Sequence, residues 1–332
     1  MGRDKIKLIL KTLLGVLLFY YVLRSKMIDF ELLQSVLFHP FNLIIALVFL
    51  LFSAVCCTIR WHLLVEAQGL SLSLRNLFSL TMIGSFFNTF MPGSVGGDLI
   101  KAWYVAGREP QRRTRAVFTV LLDRLIGLSV IIFYSAFTLV FYQEWLAGKP
   151  QLQLLALSLW AFTSLSFLFG FVFFLPHLWR AAFFQRALQS ARRVQSIAKL
   201  LDAALLYQSA RRNIFKAILL SVLGILGLIL LYYIQGTTLG VPLSLPQYFF
   251  IVPVALTVSA IPLLPGGIGT GQVAFFTLFQ WIGAPDPNQG STLCTLVQVY
   301  TILFNCFGAV FYLKFKRQPK DLSIETASPS FT

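Results

Sequence analysis

A seven-residue pattern occurs twice in this chain, each time in the middle of an apolar stretch. Pro92-Gly93-Ser94-Val95-Gly96-Gly97-Asp98 interrupts the first, and Pro265-Gly266-Gly267-Ile268-Gly269-Thr270-Gly271 interrupts the second. Proline removes a backbone donor, and each glycine costs a helix interior about 1 kcal/mol, so both runs must break their helices. Within a bilayer, broken backbone survives only where protein buries it or where it lines a wet cavity. Two such breaks at corresponding places in two halves of a chain point to a transporter-type binding site.

The rest of the sequence places those breaks in a membrane. Of 332 residues, 57% are hydrophobic and 12% are charged, against about 25% charged in a soluble domain. Apolar stretches fall at 6–23, 41–64, 76–91, 97–106, 116–142, 152–175, 214–235, 247–264, 270–283 and 291–313. Six of these approach the roughly 20 residues that span a bilayer. The stretches 76–91 with 97–106, and 247–264 with 270–283, are each one segment interrupted by a Pro-Gly run. The expected fold is therefore an all-α polytopic membrane protein, with about six full spans and two broken re-entrant helical hairpins related as an inverted repeat. One transmembrane domain occupies 1–320, with halves at about 1–145 and 150–315, a cytoplasmic basic connector at 176–213 and a disordered polar tail at 321–332.

Charge sets the orientation. The net charge of +15 raises nucleic acid as a partner, but the cations sit in short segments between apolar runs, as the positive-inside rule requires. Arg3, Lys5, Lys7 and Lys11 precede the first span; Arg60, Arg75, Arg108, Arg112, Arg113 and Arg115 flank later ones; Lys314, Lys316, Arg317 and Lys320 end the last. The loops between, at 143–151, 236–246 and 284–290, are poor in charge. Both termini should be cytoplasmic in an inner membrane, with the first broken segment dipping from the cytoplasm and the second from the opposite side. Arg180, Arg186, Arg193 and Lys199 alternate with apolar residues in the connector. That spacing suits a basic amphipathic helix on the anionic leaflet, or a plain connector with no function of its own.

No catalytic constellation is visible, so the chain is not expected to be an enzyme, and no cofactor is expected. Cys56, Cys57, Cys294 and Cys306 lie inside apolar runs, and His39, His62 and His177 are scattered. Neither set has metal-ligand spacing. Charge inside the membrane is more telling. Asp123 and Arg124 sit within a span, and Asp98 and Lys101 follow the first break. Such residues are expensive in lipid and face a partner or a watery cavity. Sequence neighbours cannot face each other on a helix, so Asp123 and Arg124 each need another partner. Asp98 is the natural one for Arg124, as a site or as a purely structural ion pair. Asn88 either lines the cavity or satisfies freed backbone. Gly96 is expected to permit a close backbone approach. A half-helix N-terminus attracts anions; Asp98 already occupies the first, whereas Gly269, Thr270 and Gln272 offer the second without an acid.

These residues resemble the transmembrane, or flippase, region of lysylphosphatidylglycerol synthase and its stand-alone relatives. The likeness runs from Asn88 through Pro92, Gly93, Gly96, Gly97, Asp98 and Lys101, then Leu122-Asp123-Arg124-Leu125-Ile126-Gly127, then Leu264-Pro265-Gly266-Gly267-Ile268-Gly269. The resemblance implies two re-entrant elements and movement of lipid headgroups between leaflets. It implies a phospholipid or lipid-linked substrate bound by the residues just named, together with Thr270 and Gln272. The alternative role is that of a non-catalytic membrane partner for a glycosyltransferase or lipid-modifying enzyme; the chain is compatible with assembly into oligomers. The aminoacyl-transferase domain of the synthase is not in this sequence. Gly271-Gln272 also stand where the family commonly carries Arg-Glu or a Glu, which weakens a charged-headgroup site at the second break.

Overall fold

The computed structural model describes residues 29–91, 96–175, 192, 194–259 and 267–316. The expected span at 6–23, residues 92–95 and 260–266 of the two breaks, most of the basic connector and the tail fall outside them. Among the described residues the secondary structure is helical: α1 (Phe30–Leu37), α2 (Pro40–Ala67), α3 (Leu74–Phe90), α4 (Gly96–Arg108), α5 (Arg113–Phe141), a 3-10 turn (Gln143–Leu146), α6 (Pro150–Phe173), α7 (Gln195–Leu206), α8 (Arg211–Thr238), α9 (Leu245–Ser259), α10 (Thr270–Ile282) and α11 (Asn288–Lys316). Five of these, α2, α5, α6, α8 and α11, are long and apolar enough to cross a membrane. The outer surface is apolar where lipid would touch it; on α6, Leu154, Leu165, Phe167 and Phe169 are all exposed.

The helices end where the residues dictate. Ser73 caps α3 by accepting from the Asn76 amide, and Pro40 and Pro150 open α2 and α6 at first-turn positions where their missing donors cost nothing. The two broken segments stop at Phe90 and Ser259 and resume at Gly96 and Thr270. At the second break, Gly267 and Gly269 have positive φ of 70° and 83°, a backbone that a β-carbon would strain.

Packing repeats between the halves. Exchange α2 with α8, α3 with α9, α4 with α10 and α5 with α11, and the principal helix contacts map onto themselves. The α2–α8 pair is its own image; α5–α9 becomes α11–α3; α3–α4 becomes α9–α10; α4–α5 becomes α10–α11. Small residues let these pairs close: Gly224 and Gly227 of α8 lie against Cys56 and Phe52 of α2, and Gly308 of α11 lies on the Met82 carbonyl of α3.

Long-range hydrogen bonds show which ends lie together. At one end of the bundle, Asn213 donates to the Leu63 carbonyl, Gln68 to Ala203 and Arg211 to Phe174. Tyr207 donates to the Leu64 carbonyl at 3.0 Å; burial raises the pKa of this hydroxyl and keeps it a donor. Arg112 reaches the Gly69 carbonyl at 2.7 Å, which brings together the residues just outside both ends of the first broken segment. At the other end, Gln235 donates to Asn42, the Asp29 amide to Thr292, and Lys149 to the Trp281 carbonyl at 2.6 Å. The C-terminal end of α2 thus lies beside the N-terminal end of α8, and its N-terminal end beside the C-terminal end of α8. The two helices are antiparallel.

Candidate functional site

The site begins with a close approach between the arms of the first broken segment. A β-carbon on Gly97 would fall 1.9 Å from the Gly84 carbonyl. The glycine that meets opposing backbone is therefore Gly97; Gly96 is packed against the Met91 side chain, from its Cβ to its Sδ. Asn88 spans the same gap, its Oδ1 accepting the Gly97 amide at 2.8 Å. It satisfies backbone freed by the break and also lines the cavity.

Asp98, one residue on, receives two cations. Arg124 Nη1 lies 3.0 Å from Asp98 Oδ2, the partnership expected from the sequence, and Lys101 Nζ lies 4.0 Å from Oδ1. Lys101 is held over the Trp61 ring, 5.3 Å from its centroid, while Trp61 donates to Thr119. Arg124 differs from its partner in exposure: its side chain is 45% accessible, that of Asp98 17%. The carboxylate is packed away, and the Arg124 side chain contributes to the lining of a cavity.

Asp123 turns elsewhere. Arg60 of α2 grips it through two bonds, Nε at 2.6 Å and Nη2 at 2.9 Å, and places Nη1 2.9 Å from Ser221 of α8. A β-carbon on Gly127 would stand 3.1 Å from Arg60 Nη1, so that glycine makes room for the guanidinium. The sequence reading used Arg60 only as a flanking charge. The signal for its deeper role was present: Asp123 required a cation, and Arg60 lies about 10 Å before the end of α2. Consecutive residues of α5 are thereby tied to different bodies, Asp123 to the α2–α8 pair and Arg124 to α4.

The second break is built from neutral groups. Gln272 Oε1 accepts the Gly269 amide at 2.7 Å. Gln272 Nε2 donates to Gln298 Oε1 at 2.7 Å and lies 3.3 Å from Thr295 Oγ1. The Thr270 hydroxyl turns back to the Gly267 carbonyl. Gly267 packs on Ser259, and Gly271 fits between Ser259 and Cys294. Gly269 and Thr270 thus have groups already committed within the protein, where the sequence suggested an open cradle. Pro92, Gly93, Pro265 and Gly266 lie outside the described residues.

Between these clusters is a cavity of about 390 Å³, lined by Ser85, Asn88 and Thr89 of α3, Arg124 of α5, Leu256 and Ser259 of α9, Ile268, and Gln298, Thr301, Ile302 and Asn305 of α11. Both halves contribute. Asn305 donates to Thr89 at 2.8 Å across the gap. Ser259, Gln298, Thr301 and Asn305 were missed in the sequence because lone polar residues in apolar spans carry no pattern until the helices are packed. A second hollow, about 240 Å³ among Tyr134, Phe137, Phe141, Tyr142 and Phe249, is almost wholly apolar and holds none of the charged residues.

The family model for the lysylphosphatidylglycerol synthase TM region matches residues 8–308. The chain belongs to that family. It is a multi-pass membrane protein of a lipid-related family. It is also similar to the UPF0104 membrane protein MJ1595 of Methanocaldococcus jannaschii, with 26% identity over 162 residues, 48% of this chain and 47% of that protein. The alignment thus spans about half the length of this relative. No solved structure matches the chain.

Proposed function

We propose that this family member translocates a lipid headgroup, sheltering it in the cavity between the broken segments while the acyl chains stay in the bilayer. The observation that carries the reading is the cavity itself. It carries polar side chains from both halves on an otherwise apolar lining, holds a guanidinium and lies between two helix breaks in a bundle whose outer surface is apolar. A charge at that depth is costly unless it serves a partner or an aqueous path.

The reading includes re-entry. The Arg112–Gly69 and Lys149–Trp281 contacts support a first broken segment that enters and leaves at one face, and a second that does so at the other. The contact symmetry and the antiparallel α2–α8 pair support an inverted repeat, the arrangement that lets a central site open to either side. The face carrying Arg108, Arg112, Arg113, Arg115, Arg211 and Arg212 is cytoplasmic, with both termini on that side of the inner membrane.

The test is transport in liposomes. Purified protein is reconstituted with acyl-labelled phospholipid, and loss of outer-leaflet signal to a membrane-impermeant quencher is followed. Wild type should accelerate exchange between leaflets, and Arg124→Gln should return it to the rate of protein-free vesicles. Wild-type exchange at the protein-free rate would overturn the reading.

A further inference from the structure

The apolar hollow of about 240 Å³ lies between α5 and α9, lined from Tyr134 to Tyr142 on one side and from Leu245 to Phe249 on the other. The α5 side runs about 12 Å along the helix axis, so the hollow is a slot. It sits at the end of the bundle opposite Arg112 and Arg211. The two hydroxyls inside it are spent: Tyr134 donates to the Val222 carbonyl at 2.9 Å, and Thr138 to the Tyr134 carbonyl at 2.9 Å. An apolar cavity of this kind stays dry and takes apolar guests. Tyr142 closes the far end, its ring stacked on Trp145 with centroids 4.5 Å apart. Tyrosine and tryptophan at the end of a span mark the headgroup level of a bilayer.

The internal symmetry shows that the slot is not what this packing leaves by default. Exchanging the halves carries the α5–α9 seam onto the α11–α3 seam, and aromatic rings shut the image. Phe78 meets Phe311 edge to face at 5.7 Å, and Phe87 meets Tyr312 at 5.3 Å. On α5 the rings meet along their own helix instead, Phe133 with Phe137 at 5.5 Å and Phe137 with Phe141 at 5.0 Å. Phe137 and Phe141 are exposed on the outer surface. Tyr134 reaches Phe249 across the seam at 5.7 Å, at the end nearer the bundle centre. An unfilled void forfeits the dispersion contacts of every side chain that faces it. Farther along, the same two helices line the headgroup cavity, through Arg124 on α5 and Leu256 and Ser259 on α9. A molecule suited to this seam has an apolar chain and a polar end, and the surface onto which the slot opens is the lipid-facing one.

We propose that the slot is a binding site for an acyl chain of a phospholipid, at the end of the α5–α9 seam opposite the basic face. The site goes beyond translocation, because it holds a tail whether or not the headgroup moves.

The experiment is photocrosslinking from the rim on full-length protein. p-Benzoylphenylalanine replaces Phe141, or Leu165 on the open face of α6. Each protein is loaded from dioleoylphosphatidylcholine vesicles and washed in cholate, which has no long alkyl chain to compete. It is then irradiated and read by intact mass. A phospholipid adduct should form from position 141 and be lost from position 165. Leu245→Trp, which fills the slot, should remove the adduct, whereas Leu157→Trp on the exposed face of α6 should not. Dodecane, a chain with no headgroup, should suppress the adduct in the protein with native Leu245, a readout that does not depend on how well Leu245→Trp folds. Equal yields from 141 and 165, or an adduct indifferent to dodecane, would mean general contact with bilayer lipid, and the site would fall. A crosslink from 141 to residues 6–23 of the same chain, or to a second copy, would mean that protein fills the slot, and the site would fall likewise. Each of these outcomes reads tail binding and leaves the liposome test of headgroup movement independent.

Discussion

Asp123→Leu should be the most damaging single change to stability among the charged residues. Arg60 and Asp123 have side chains only 9% and 13% accessible and share two hydrogen bonds at 2.6 and 2.9 Å. Removing the carboxylate leaves a buried guanidinium whose remaining bond among those described is to Ser221. Breaking a buried pair from one side costs about 3–5 kcal/mol, because the survivor is an uncompensated charge in low dielectric. Removing both charges with apolar residues of similar volume is far milder. Reversible unfolding in mixed micelles, read by tryptophan fluorescence, would compare Arg60→Met, Asp123→Leu and the double variant. Each single should lose about 3 kcal/mol or more, and the double should lose at least about 2 kcal/mol less than the summed singles. Strict additivity would show that the pair is not an energetic unit, whatever its geometry.

The outer pair should behave differently. With Arg124 nearly half accessible, screening holds the stability cost of Arg124→Gln near about 1 kcal/mol, while lipid movement in liposomes is lost; a double variant with Asp98→Asn that moved lipid normally would make the pair structural. Gly97→Ala should disrupt the first broken segment, since its β-carbon collides with the Gly84 backbone carbonyl, and should cost more than Gly96→Ala, whose β-carbon collides with the Met91 side chain, its Cβ included; equal thermal stability for the two would contradict this. Cysteines at Gly107 and Ser209 should label from the cytoplasm only, and cysteines at Ala147, Thr238 and Asp286, exposed at the other end, from outside only. Cytoplasmic labelling at 286 would mean that the second broken segment spans, and the inverted repeat would fail.

The helical architecture was legible because long apolar runs and Pro-Gly interruptions act locally: α3, α4, α9 and α10 fall within a few residues of the expected stretches. The Asp98–Arg124 pair was legible for a different reason. Two charges stranded in lipid need partners, and few were on offer. Arg60 was missed because it stands near the end of its span, where a basic residue is ordinary. Gly97 was assigned to its neighbour because a run of glycines does not say which one faces the opposing backbone. Short α1 was not anticipated; its Asp29 cap is clear only once Asp29 Oδ1 is seen to accept the Leu32 amide. The polar wall of α11 is the largest omission. Gln298, Thr301 and Asn305 are spaced as one helical face, but only the packing of α3 and α9 against the rest shows that this face meets a cavity rather than lipid.

The claim that the cavity carries the headgroup is tested most directly by photocrosslinking. Phosphatidylglycerol bearing a photoreactive diazirine on its headgroup is incorporated with the protein, activated, and the adducts are mapped by mass spectrometry. Adducts should concentrate on Asn88, Ser259, Thr301 and Asn305, and Arg124→Gln should remove them. Adducts confined to outward-facing positions such as Leu154, Leu165 and Phe169, unchanged in the variant, would contradict the account.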